Sequence, residues 1–151
     1  MCLLFFWHKN GDSGKQCFQI APVVCGFWSN MGYITYGQNE RDIIKKGIVA
    51  IQEVLMGDNT DEKRSLLFAL DWFMDPYYKQ DIYIADIRED LNKLLQTVVI
   101  WSNDDEVSED ALDLLRAYEW PPFEILEKNR DRVSKQLMPD VLYVINMDKE
   151  E

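Results

Sequence analysis

The sequence holds little of what most enzymes need. His8 is its one histidine, so general acid–base chemistry through imidazole has almost no material to work with. No glycine-rich phosphate loop, no H-E-x-x-H and no G-x-S-x-G occurs along the chain, which removes the common routes to nucleotide binding, zinc hydrolysis and acyl transfer. Three cysteines, Cys2, Cys17 and Cys25, make an odd set without C-x-x-C spacing. Together with His8 they stand six, nine and eight positions apart, a pattern of no common zinc module. Reduced thiols, no metal and no cofactor are the expectation. The acidic runs "GDNTDE" and "NDDEVSED" lack the glycine and the terminal glutamate of an EF-hand loop. With 27 acids in the chain, a pair of carboxylates spaced for glycoside hydrolysis arises by chance and identifies nothing. No catalytic residue is assigned and the protein is expected not to be an enzyme.

Long apolar runs are missing too. None approaches the ~18 residues that span a bilayer. The opening "MCLLFFWHKNG" has no basic n-region and no small-residue cleavage site behind its short apolar stretch. A cytoplasmic protein is expected. Repeats and low-complexity tracts are also missing.

Apolar residues make up 47% of 151 positions, enough for one core without disulfide or metal support. A single domain over 1–151 is expected, with a β-rich part at 1–37 and a helical part at 38–151. Five Trp, seven Phe and seven Tyr exceed the needs of a minimal core, and aromatic rings carry interfaces as well as interiors. The net charge is −11. Such a chain is poorly suited to phosphate backbones or anionic lipid, so neither nucleic acid nor membrane is an expected partner. A basic protein is, because complementary fields speed encounter. The charge is also uneven: residues 1–57 carry a net +1 and residues 58–151 a net −12. Between 103 and 127, nine acids face the single base Arg116.

In the first third, "LLFFWHK" and "QCFQIA" flank the turn-like "NGDSGK", and "VVCGFW" and "YITYG" flank "SNMG". Three or four short antiparallel strands are expected there. From Asn39, a candidate N-cap, the period becomes helical. Ile43, Ile44, Gly47, Ile48, Ile51, Val54 and Leu55 share one face of a helix reaching Met56. Gly47 within that face suggests close approach by a neighbour. A second helix, Asp61 to Met74, turns Leu66, Leu67, Ala69, Leu70, Phe73 and Met74 inward. Asp86 with Glu89 resembles a capping box. Behind it Ile87, Leu91, Leu94, Leu95, Val98 and Trp101 form an apolar stripe. Ser108 is the expected cap of the next helix, with Val107, Ala111, Leu112, Leu114, Leu115 and Tyr118 inward. Pro121-Pro122 turns the chain into a helix over "FEILEKNRDRVSKQL". The segment 140–147 reads equally as helix or strand. The expected fold is α+β, mostly α, with five or six packed helices on a small N-terminal antiparallel sheet. An all-α bundle is the alternative.

Two groups fall outside the apolar stripes. In "LDWFMDPYY" and just before it, Phe68 and Trp72 point away from the core face and sit beside Asp71 and Asp75. In "DDEVSEDALDLLRAYEWPPFE", Glu106, Glu109, Asp110 and Asp113 line the polar side of their helix, and Trp120 follows. Acids that steer, joined to an aromatic anchor, have the composition of a recognition edge. These nine residues are the candidate partner-binding set.

On these two acid–aromatic segments and its overall type, the chain resembles the small acidic immunity proteins that bacteria pair with secreted toxins, including those of contact-dependent growth inhibition. These proteins share no single fold, so the resemblance carries over no individual residue. It implies a non-catalytic protein that neutralises a cognate toxin, often a basic nuclease. An adaptor or regulatory subunit with another basic partner is the alternative.

Overall fold

The computed structural model describes residues 36–77 and 82–149. Every regular element among them is helical: α1 (Gln38–Lys46), α2 (Ile48–Leu55), α3 (Thr60–Met74), α4 (Arg88–Trp101), α5 (Asp105–Tyr118), α6 (Glu124–Asn129) and α7 (Met138–Ile145), with short 3-10 turns before α4 and after α6 and α7. The α+β expectation is therefore corrected to an all-helical architecture; no strand occurs among the described residues. The strands expected within 1–37, and the Cys and His residues considered with them, fall on positions outside those described, apart from Tyr36 and Gly37, which are not in a strand. At the other end, the segment 140–147 is α-helical through Ile145, followed by a turn at Asn146 and the start of a 3-10 turn at Met147. Pro139 sits in the first turn of α7, where its missing N–H costs nothing. Val141, Val144 and Ile145 are buried at helical spacing.

The long helix expected from Asn39 to Met56 is two helices. It begins one residue earlier than Asn39, at Gln38, with Gly37 as N-cap, and Glu40 accepts the Gly37 N–H at 2.7 Å. It breaks at Gly47, whose φ of +94° and ψ of −169° lie in a region essentially reserved for glycine. Apart from Gly47 itself and its two chain neighbours, no atom would lie within 4 Å of a Cβ placed there. Gly47 thus serves a change of direction, not the close approach expected of it.

The interior of the bundle is one cluster spanning all seven helices. The six residues predicted to face inward from α3 are all buried, and so are the five aliphatic ones predicted from α5, with Tyr118 half-buried. Helix α4 is the central element, packed against α2, α5 and α6. It therefore buries Val99 and Ile100 as well as the expected Leu91, Leu94, Leu95 and Val98. Trp101, expected inward, is instead 48% exposed, with the Arg132 guanidinium 4.4 Å from its ring centre.

The helix ends are tied by tertiary contacts as much as by local caps. Asn59 accepts from the Glu62 N–H at the start of α3, and Asp104 caps α5 through the Glu106 N–H. Ser108, the expected cap, is buried inside α5. Asp86 makes no cap, and α4 follows a 3-10 turn at Ala85–Ile87. Gln96, 3% exposed in the middle of α4, caps a different helix: its Oε1 accepts the N–H groups of Ile125 (3.0 Å) and Leu126 (3.2 Å) at the start of α6. Its amide donates to Asn92 (2.6 Å), and Asn92 donates to Glu119 (3.2 Å). Arg88 completes the chain of contacts, donating to Glu119 Oε1 (2.8 Å), to the Tyr118 carbonyl (2.8 Å) and to the Met74 carbonyl (3.4 Å). The single helix expected over 123–137 stops at Asn129, whose side-chain amide returns to the Ile125 carbonyl; side chains that bond nearby backbone compete with further turns.

No helix among the described residues is long and apolar enough to cross a membrane.

Candidate functional site

Helices α3 and α5 lie side by side and run in the same direction, as three polar contacts along their length show. At the start, Thr60 donates to Asp104 Oδ2 at 3.0 Å. One turn on, Arg64 donates through Nε to Asp110 Oδ2 at 2.7 Å, and through Nη1 to Glu106. Near the end, the Tyr118 hydroxyl donates to Asp71 Oδ1 at 2.7 Å. The helical period explains the alignment. Arg64, Phe68 and Asp71 form an i, i+4, i+7 stripe on α3, and Glu106, Asp110, Asp113 and Ala117 form the matching stripe on α5.

Between the stripes lies an open cleft of about 320 Å³, lined in part by Arg64, Phe68, Asp71, Asp110, Asp113 and Arg116. Four carboxylates, with Glu106 counted at the rim, face two guanidiniums there, leaving a local excess of two negative charges. Asp113 registers that excess. Its carboxyl is pushed above the ordinary aspartate value, first by burial, and also by Asp110, Asp140 and Asp71; Arg116, 2.7 Å away, pulls the other way. Asp140 belongs to α7, so the acidic field is built by three helices. The Tyr118 hydroxyl is pushed well above the usual phenol range, first by burial and then by its bond to Asp71. Arg64 is held more firmly protonated, chiefly by its bond to Asp110.

Of the nine candidate residues, Phe68, Asp71, Asp110 and Asp113 meet in this cleft and Glu106 joins them through Arg64. Glu109 is exposed on the outer side of α5, with no ion-pair partner among the described residues. Trp72 is half-buried and, like Phe68, lies against Tyr36, at 6.4 Å and 5.9 Å between ring centres. Asp75 ends α3 and accepts the Tyr77 N–H at 2.8 Å. Trp120 does not continue the acidic row. Helix α5 stops at Tyr118 and Glu119 is extended, which carries Trp120 out of phase to the end of the bundle, 65% exposed. Glu119, one of the nine acids between 103 and 127, is taken up by Arg88 and Asn92.

Sequence reasoning missed Arg64, Arg116 and Tyr118. The i, i+4, i+7 spacing of Arg64 with Phe68 and Asp71 was the available signal; it acquires meaning only once α5 is known to lie alongside.

Compared with protein-family models, with curated proteins and with solved structures, the chain matches none.

Proposed function

We propose that this chain is a non-catalytic binding protein whose α3–α5 cleft receives cationic side chains of a basic protein, and that the partner is a toxin domain which it neutralises. The observation that supports this best is Asp113. Asp113, 57% exposed at the cleft, stands in the field of Asp110, Asp140 and Asp71, which favours a positive charge beside it beyond the one Arg116 supplies. An incoming Lys or Arg supplies that charge, and Phe68 offers its stem an apolar wall. The acid surplus of residues 58–151 steers such a partner from a distance. Inhibition then follows from occupancy: an acidic surface seated on a basic nuclease covers the site that phosphates would otherwise fill.

The test begins with the product of the gene adjacent to this one. Purified together, the two proteins should form a one-to-one complex, and the toxin activity should disappear. Asp110 is a poor probe because reversing it would set a cation against Arg64. Glu109→Lys with Asp113→Lys is the suitable pair, since both side chains are exposed. The double variant should associate at least tenfold more slowly at low salt, with the difference shrinking as screening sets in. No complex, or an unchanged association rate, rejects the proposal.

A further inference from the structure

Three of the most exposed large side chains lie at one end of the bundle. Tyr77 is 94%, Tyr83 81% and Trp120 65% exposed. They come from three stretches of chain that Arg88 ties together. Its guanidinium bonds the Met74 carbonyl, three residues before Tyr77, and the Tyr118 carbonyl, two residues before Trp120. Tyr83 precedes Arg88 itself by five residues, next to the 3-10 turn that opens α4. Asp75 and Asp86 belong to the same stretches and are respectively half-buried and exposed.

The opposite end of α4, about 20 Å away by helical rise, provides a comparison within the molecule. There, exposed Trp101 already has its cation, the Arg132 guanidinium over its ring. No cation and no second ring lies against Tyr77, Tyr83 or Trp120 among the described residues. We infer that this end is a second part of the partner interface, an aromatic platform that takes the guanidinium groups of an arginine-bearing segment on a basic protein. From the functional proposal the inference takes only the basic protein partner. The chemistry selects arginine over lysine. Ring faces attract cations, and a planar, weakly hydrated guanidinium stacks where a compact ammonium keeps its water. Among the described residues, Asp75, Asp86 and Glu119 outnumber Arg88 at this end, which selects the sign of the partner and disfavours a second copy of this acidic chain on the same surface.

The experiment uses the full chain and two fluorescein-labelled probes, nona-arginine and nona-lysine, followed by fluorescence anisotropy at fixed ionic strength. Nona-arginine should bind the tighter. Tyr77→Ala, Tyr83→Ala and Trp120→Ala combined should weaken nona-arginine by about tenfold or more while leaving nona-lysine within about twofold. Because the three side chains are exposed, the thermal melt should barely move; should the triple variant fail to fold, Tyr83→Ala and Trp120→Ala singly should each remove part of the arginine preference. Glu109→Gln with Asp113→Asn should weaken both peptides alike. An arginine preference absent from the parent chain, or surviving the aromatic substitutions, overturns the platform and leaves the cleft reading standing. Loss of the preference with the aromatic variants, while the acid variants change neither peptide, supports the platform and counts against the cleft. A dimer of the parent chain in sedimentation that becomes monomer in the triple variant assigns the surface to a second copy and overturns the inference.

Discussion

Replacing Gln96 by leucine tests how this fold caps its α6 helix. The side chain is 3% exposed, and its Oε1 is the acceptor for two N–H groups, Ile125 at 3.0 Å and Leu126 at 3.2 Å. Leucine is close in volume, so no large cavity opens, and the loss is one of polar satisfaction. A buried donor left without a partner costs about 1–3 kcal/mol. The Leu126 N–H is buried and bears that cost fully, whereas the Ile125 N–H is part-buried and bears less. The Asn92 carbonyl oxygen also loses its 2.6 Å donor. A total of roughly 2–4 kcal/mol follows, which for a chain of this size lowers Tm by about 5–15 °C. Urea unfolding gives the value directly: the midpoint should fall while the slope stays constant, because the surface exposed on unfolding barely changes. Hydrogen exchange supplies the local check, with the Ile125 and Leu126 amides losing protection before the rest of the bundle. A loss under about 0.5 kcal/mol would mean that those amides find other acceptors, and the tertiary cap would be refuted.

Two further outcomes are expected. Gly47→Ala should lower stability by about 1–3 kcal/mol although a methyl group meets nothing there, because the cost is a φ of +94° that alanine resists; an unchanged urea midpoint would show that the α1–α2 junction relaxes freely. Asp113 carries a pKa raised above the unfolded value, so its contribution is fully present below about pH 3.8 and is lost as pH rises through the higher native value. Asp113→Asn should therefore be the more stable form at pH 7, with the two melts converging in acid, and a variant less stable at pH 7 would show that the Arg116 pair outweighs burial and the neighbouring acids.

The sequence was most legible where a helix has one wet side and one dry side. Leu66, Leu67, Ala69, Leu70, Phe73 and Met74 follow from period alone, and so does the buried stripe of α5. It was less legible for α4, because a helix packed on several sides has no single apolar stripe: Val99 and Ile100 went inward and Trp101 outward. Caps were misplaced by a few residues where they are local, Gly37 in place of Asn39 and Asp104 in place of Ser108, and the cap that Gln96 provides for α6 from another helix left no local signal. The candidate site was half-readable. Its two rows of acids were visible, but their convergence depends on α3 lying beside α5, and no single sequence states that pairing. Trp120 was assigned to the acidic row by extending a helix that in fact ends at Tyr118.

Arg88 has a consequence for the electric field of the bundle. Helices α3 and α5 run the same way, so their peptide dipoles point in parallel and repel along their length. Both positive ends are met by acids in the first turn, Asp61 and Glu62 on one, Asp105 and Glu106 on the other. At the negative ends, α3 has no basic residue in its last turn. Arg88 supplies one from the neighbouring helix, with its guanidinium on the Met74 and Tyr118 carbonyls at once. One cation therefore serves two dipoles, which a lysine ammonium, lacking the planar fork, reproduces less well. The side-by-side parallel arrangement of α3 and α5, and with it the cleft between them, rests in part on a charge carried by neither helix.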